Sequence, residues 1–341
     1  MKYLLTFFVL LSLNSAGWAQ SQCELMFQEK LWGQKFYHAY KPSKEPITVG
    51  IEVEALVPTK IGLSGIVKIL ESEIQKTYGE VFVDHRPDSL IEYRVSYYKS
   101  GTQYTYQVHR GWHGTNKKFI DAEISSPIVR DKNDLDFFLN TLNILKRKVK
   151  LKAQPSQAGV HVHFGFSKTS EAELGFLITL FSVLEKQILQ TFSTTNSRQN
   201  RYTNTSSESL LYYLQNTPVN QLRLNSMYSV VSEKKKNYAL NILSLQKYET
   251  VEMRLFNSSV NASHVLQMVN FTVGFMNAVR SKDPRLTQFL MSNKNSHQLD
   301  LQELAKALDL PILSQSEKRA LRAIKFQSIK SELGERFSRE N

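Results

Sequence analysis

Gly159-Val-His-Val-His-Phe-Gly165 is the stretch on which the reading of this chain turns. Its β-branched and aromatic residues have no helical period and predict a strand. In a strand, residues i and i+2 project to the same side, so His161 and His163 share a face, and the flanking glycines let other groups approach closely. Taken alone, two strand histidines serve packing or hydrogen bonding more often than metal ligation. Working outward, the same spacing of polar groups recurs in Gly50-Ile-Glu-Val-Glu54, in Asp121-Ala-Glu-Ile-Ser-Ser-Pro127 and in Thr250-Val-Glu-Met-Arg254. Each is embedded in apolar or β-branched residues. Glu52 with Glu54, Asp121 with Glu123, and Glu252 with Arg254 therefore also share strand faces.

Two carboxylates brought that close repel unless a cation lies between them. Hard divalent ions such as Mg²⁺ or Mn²⁺ take oxygen ligands and suit that place, and imidazoles beside the carboxylates strengthen the case for a metal. Singly, each pair has a plainer reading: an exposed glutamate face for Glu52 and Glu54, a sheet ion pair for Glu252 and Arg254. Asp121 and Glu123 say little by themselves. An arginine next to a metal-binding carboxylate is, however, what phosphoryl transfer needs.

The chain has 341 residues, 41% hydrophobic and 22% charged, which suits one large or two ordinary globular domains and excludes disorder as the main state. A formal charge of +12 is compatible with anionic partners or with a generally solvated basic surface. No nucleic-acid motif accompanies it. Met1-Lys2-Tyr3, an apolar run from Leu4 to Leu13, and small residues at Gly17 and Ala19 read as a secretory signal peptide over residues 1–19. The expectation is Sec-dependent export to the periplasm or medium, with no later membrane span. Cys23 is the single cysteine and cannot form an intrachain disulfide.

Along the chain, Ile47 to Val57 predicts a strand and Ile66 to Tyr78 a helix with Val67, Leu70 and Ile74 on one stripe. Val81 to Tyr98 and Tyr104 to Trp112 read as two long strands joined by a hairpin turn at Lys99-Ser-Gly-Thr102. Lys118 to Ile128 continues the sheet. Asn133 and Asp136 are read as opening a helix to about Lys150, and Ser170 with Glu173 as the capping box of a helix from Glu171 to Phe192. A polar loop, Ser193 to Ser207, carries Arg198 and Arg201. Tyr238 to Leu245 and Glu249 to Phe256 read as a second hairpin, His264 to Arg280 as a helix, and the chain from Leu301 onward as helical, with a basic patch at Lys318, Arg319, Arg322 and Lys325.

The four segments in this order, G-x-E-x-E, E-x-x-S-P, G-x-H-x-H and T-x-E-x-R, resemble the amidoligase family, carboxylate–amine ligases with a glutamine synthetase-like catalytic fold. The resemblance covers roughly Thr48 to Arg280. It implies an α+β fold: an antiparallel, barrel-like sheet packed by helices, whose concave face holds ATP and two Mg²⁺ or Mn²⁺ ions. The domain organisation it implies is a lead-in over residues 20–46, a catalytic domain over 47–283 and a helical C-terminal extension over 284–341. Carried over, Glu52 and Glu54 each ligate a different ion, Glu123 joins one, and His161 and Glu252 join the other. His163 lies near the nucleotide phosphates and Arg254 neutralises the acyl-phosphate or its leaving phosphate. Arg198 and Arg201 are further phosphate contacts. The Asp-x-Ser turn of related sequences is altered here, the nearest stretches being Asp88-Ser89 and Arg110-Gly-Trp-His-Gly114. The implied activity is ATP-dependent amide formation on a small-molecule or peptide substrate of cell-wall type. A secreted metal-dependent hydrolase and a non-catalytic module for an anionic ligand are the competing readings.

Overall fold

The structure, a computed structural model, describes residues 32–43, 45–86, 92–111, 118–154, 158–192, 208–232, 238–293 and 299–310. The expected signal peptide, Cys23, Asp88-Ser89, residues 112–114, the expected loop with Arg198 and Arg201, and the expected basic patch after residue 317 lie outside them. The described residues belong to one compact unit that ends at Leu310.

Among the described residues, eight antiparallel strands form one sheet: β1 (Val49–Pro58), β2 (Val81–His85), β3 (Tyr93–Lys99), β4 (Thr102–Arg110), β5 (Phe119–Ser125), β6 (Gly159–Gly165), β7 (Leu240–Asn241) and β8 (Thr250–Asn257). Their order is β2-β3-β4-β5-β1-β6-β8-β7. The fold is α+β, as expected, but the sheet is open rather than closed into a barrel. Its last strand, β7, has two residues, too short a ladder to pair with β2 and close the ring.

The sheet has one apolar and one polar face because its strands alternate. Along β1, Val49, Ile51, Val53, Ala55 and Val57 are buried, while Glu52 and Glu54 point the other way and are half-buried. The apolar face is covered by helices α2 (Gly62–Tyr78), α3 (Lys132–Lys148), α4 (Glu171–Phe192) and α8 (Ala262–Arg280). Tyr78 stacks on Tyr97 of β3, Phe138 on Tyr106 of β4, and Phe192 meets Phe256 of β8 edge-on. Shorter helices complete the chain: α1 (Trp32–Ala39), α5 (Glu208–Asn216), α6 (Leu224–Ser232), α7 (Ser244–Tyr248), α9 (Pro284–Ser292) and α10 (Leu301–Ala307). No helix among the described residues is long and apolar enough to cross a membrane.

Three expectations are corrected. The run from Val81 to Tyr98 is two strands, β2 and β3, paired antiparallel with each other. Helix α3 is capped by Asp131, whose carboxylate accepts from the Asp134 N–H at 2.8 Å, and not by Asn133. The second hairpin is reduced, since α7 occupies most of its first arm. The turn at Lys99–Thr102 is present, with Ser100 and Gly101 both at positive φ, 50° and 76°, as a two-residue hairpin loop requires.

Candidate metal centre

The polar residues of β1, β6 and β8 converge because those strands are adjacent and in register. Glu52 lies directly opposite His161, and His163 opposite Glu252. Gly50 pairs with His163, and a Cβ there would lie 3.4 Å from the His163 Cβ, so glycine leaves the ring its room. Beside His161 the ladder shifts: β8 sets Arg254 and Leu255 against this single position, a bulge of the kind that redirects side chains near sites.

Glu52, His161 and Glu252 each turn a ligand atom towards the others, all within 4.8 Å. His161 Nδ1 is 3.1 Å from Glu52 Oε2 and 3.5 Å from Glu252 Oε1. Ligands at right angles around an ion with 2.1 Å bonds lie about 3 Å apart, so these separations suit one cation. The other nitrogen, His161 Nε2, is buried, has no hydrogen bond among the described residues and lies 4.0 Å from Glu54 Oε2. Glu54 in turn faces Glu123 directly across the β1–β5 ladder, and its Oε2 accepts from the Gly159 N–H at 2.5 Å. The expected ligands thus fall into a tight trio of Glu52, His161 and Glu252 and a facing pair of Glu54 and Glu123.

His163 joins the trio. Its Nε2 lies 3.3 Å from Glu52 Oε1 and 3.7 Å from Glu252 Oε1. Its Nδ1 is 3.1 Å from the Thr250 hydroxyl, which fixes the ring. Arg254 donates to Glu252 Oε1 at 2.5 Å, and Asn241 of β7 donates to Glu252 Oε2 at 2.7 Å. Asn241 is a site residue that carries no signal in the sequence. Side-chain exposure ranks depth: His161 and Glu252, at 2% and 3%, form the floor, while Glu52 and Arg254, at 24% and 21%, stand at the rim.

Burial pushes the Glu123 carboxyl up to about 8, and the neighbouring charges of Glu52 and Glu54 add to the rise. Burial also raises Glu52, but hydrogen bonds from His161 and His163 outweigh it and hold that carboxyl well below the usual range. For His163, burial lowers the imidazole, yet the hydrogen bond to Glu52 and the charge of Glu252 leave it raised overall. Four carboxylates face one guanidinium and two imidazoles, and the buried His161 Nε2 has no hydrogen bond among the described residues. A divalent cation fits that donor set.

A family model described as "Putative amidoligase enzyme" matches residues 45–276. No curated protein matches the chain.

Proposed function

The chain belongs to the amidoligase family, and from that membership we propose that it is a carboxylate–amine ligase, dependent on ATP and Mg²⁺ or Mn²⁺, which forms an amide through an acyl-phosphate. The observation that carries the reading is the meeting of Glu52, His161 and Glu252 on a polar sheet face, with His161 and Glu252 at its floor and Glu52 and Arg254 at its rim. Glu52, His161 and Glu252 would hold one ion and Glu54 with Glu123 a second. Such ions, when bound, offset the charge of phosphate groups.

The protein's own residues orient and balance charge. Asn241 and Arg254 clamp both oxygens of Glu252, so that carboxylate keeps one direction. Thr250 holds the His163 ring with Nε2 turned to the cluster, near enough to serve a phosphate or an ion. Arg254, partly exposed, is placed to neutralise the acyl-phosphate as the amine attacks and phosphate leaves. Arg198 and Arg201 remain proposed phosphate contacts. The export expected of residues 1–19 supports the further proposal that the reaction runs outside the cytoplasm, on a small-molecule or peptide substrate of cell-wall type.

Titration calorimetry of ATP with Mg²⁺ into the protein tests the reading. Binding is expected in the wild type and is expected to vanish in Glu252→Ala. If the wild type binds no nucleotide in the presence of the metal, the ligase reading fails.

A further inference from the structure

The polar face does not end at the metal centre. One straight row of directly paired residues crosses six strands: Asp84, Arg94, Gln107, Ser125, Glu52 and His161. Residues directly opposite in antiparallel strands share a face, so the row runs unbroken from the edge strand β2 to the cluster. The fold leaves its middle unsatisfied. Arg94 is half-buried, its Nε is buried without a hydrogen bond, and it makes no ion pair among the described residues. Its cross-strand neighbour Asp84 is engaged by Arg86 instead, at 2.6 Å. The side chains of Gln107 and Ser125, also half-buried, make no hydrogen bond among the described residues. A desolvated guanidinium N–H without an acceptor is destabilising unless a ligand supplies one.

We propose that this row is a peptide-binding track. Arg94 takes the terminal carboxylate of an extended peptide, Gln107 and Ser125 hydrogen-bond its amide groups, and its far end reaches the rim at Glu52. Neighbouring strands lie about 4.8 Å apart, so the three steps from β3 to β1 span about 14 Å, or about four extended residues. The arginine side chain covers part of that, which sets the ligand at about two or three residues. A carboxylate fits better than a phosphate dianion, because a single planar guanidinium matches the carboxylate fork and Asp84 lies across from it. What happens at the rim rests on the ligase reading; the binding itself does not.

The test incubates the protein with a pool of mixed-sequence tripeptides, half with a free C-terminal carboxylate and half amidated, and identifies retained peptides by mass spectrometry after gel filtration. The free-carboxylate peptides are expected to be retained selectively. Arg94→Gln is expected to cut that retention at least tenfold, and Arg94→Lys, which keeps the charge but loses the fork, several-fold. Equal retention of amidated peptides, unchanged retention by both variants, or no retention of either pool overturns the track. Mn²⁺ calorimetry on the same proteins separates the two readings. Arg94→Gln should bind Mn²⁺ as the wild type does, which also shows that it is folded. A wild type that retains peptides but binds no ATP with Mn²⁺ sinks the ligase reading and leaves the track standing.

Discussion

Glu252 accepts from Arg254 on one oxygen and from Asn241 on the other, so its direction depends on a residue outside the four motifs. Removing an outer partner of a metal ligand typically weakens metal binding by about ten- to a hundredfold. Asn241→Ala is therefore expected to weaken Mn²⁺ binding by that order in calorimetry, whereas Glu252→Gln should abolish it. Asn241 was not legible because it lies in a two-residue strand, where no alternation can show a face. Glu52, Glu54, His161 and His163 were legible because a period of two is written locally in their own strands. A second residue-scale effect is acidic. Glu185 of α4 is buried, neither carboxyl oxygen has a hydrogen bond among the described residues, and burial raises it to about 8 from an ordinary 4.5. The folded chain keeps a proton that the unfolded chain gives up above pH 4.5, so stability is greatest below that pH and falls as pH rises through 8. Glu185→Gln should match the wild type in thermal unfolding at pH 4 and exceed it at pH 8, by several degrees. Equal melting curves at both pH values would refute this.

At the scale of elements, the start of α4 shows both success and failure of local reading. Ser170 Oγ accepts from the Glu173 N–H at 3.1 Å, as a capping box requires. The carboxyl of Glu173, however, also faces Arg280 of α8 at 3.5 Å, with both side chains buried. Arg280 further donates to the Gly165 carbonyl at the end of β6 (2.6 Å) and to the Ser43 hydroxyl (2.8 Å). One guanidinium thus ties two helices, a strand end and the lead-in, although in sequence it is only the last residue of an expected helix. Breaking a buried pair from one side costs about 3–5 kcal/mol. Arg280→Met is expected to lose stability of that order in urea unfolding while Arg285→Met, at an exposed pair, changes little. Asp131→Ala, which removes the cap of α3, should cost about 1 kcal/mol. Within the expected run from Val81 to Tyr98, Pro87 lacks the N–H that the interior of a long strand needs and so argues, in sequence, against one continuous strand.

On the scale of the whole molecule, the one-sided polarity of the sheet was legible from alternation, and the α+β class with it. The strand order was not, because pairings such as β1 with β6 join residues about a hundred positions apart, and openness depends on how long β7 is. The compact unit ends with Leu310, which is buried against α8 where a Cβ on Gly274 would run into it. Ending the chain after Leu310 should leave cooperative unfolding and Mn²⁺ binding intact, while ending it before Leu299 should lower the melting temperature by exposing Leu299, Leu301 and Leu304. The order of the sheet has one more implication. The candidate ion ligands stand on β1, β5, β6 and β8, each flanked on both sides, whereas Arg94 and Gln107 stand on β3 and β4, within one stretch of chain from Val81 to Arg110 whose β2 is the edge strand of the sheet among the described residues. On the proposed reading, most of the selectivity would then sit in one contiguous cassette, and exchanging that cassette for another would give the same reaction a different customer.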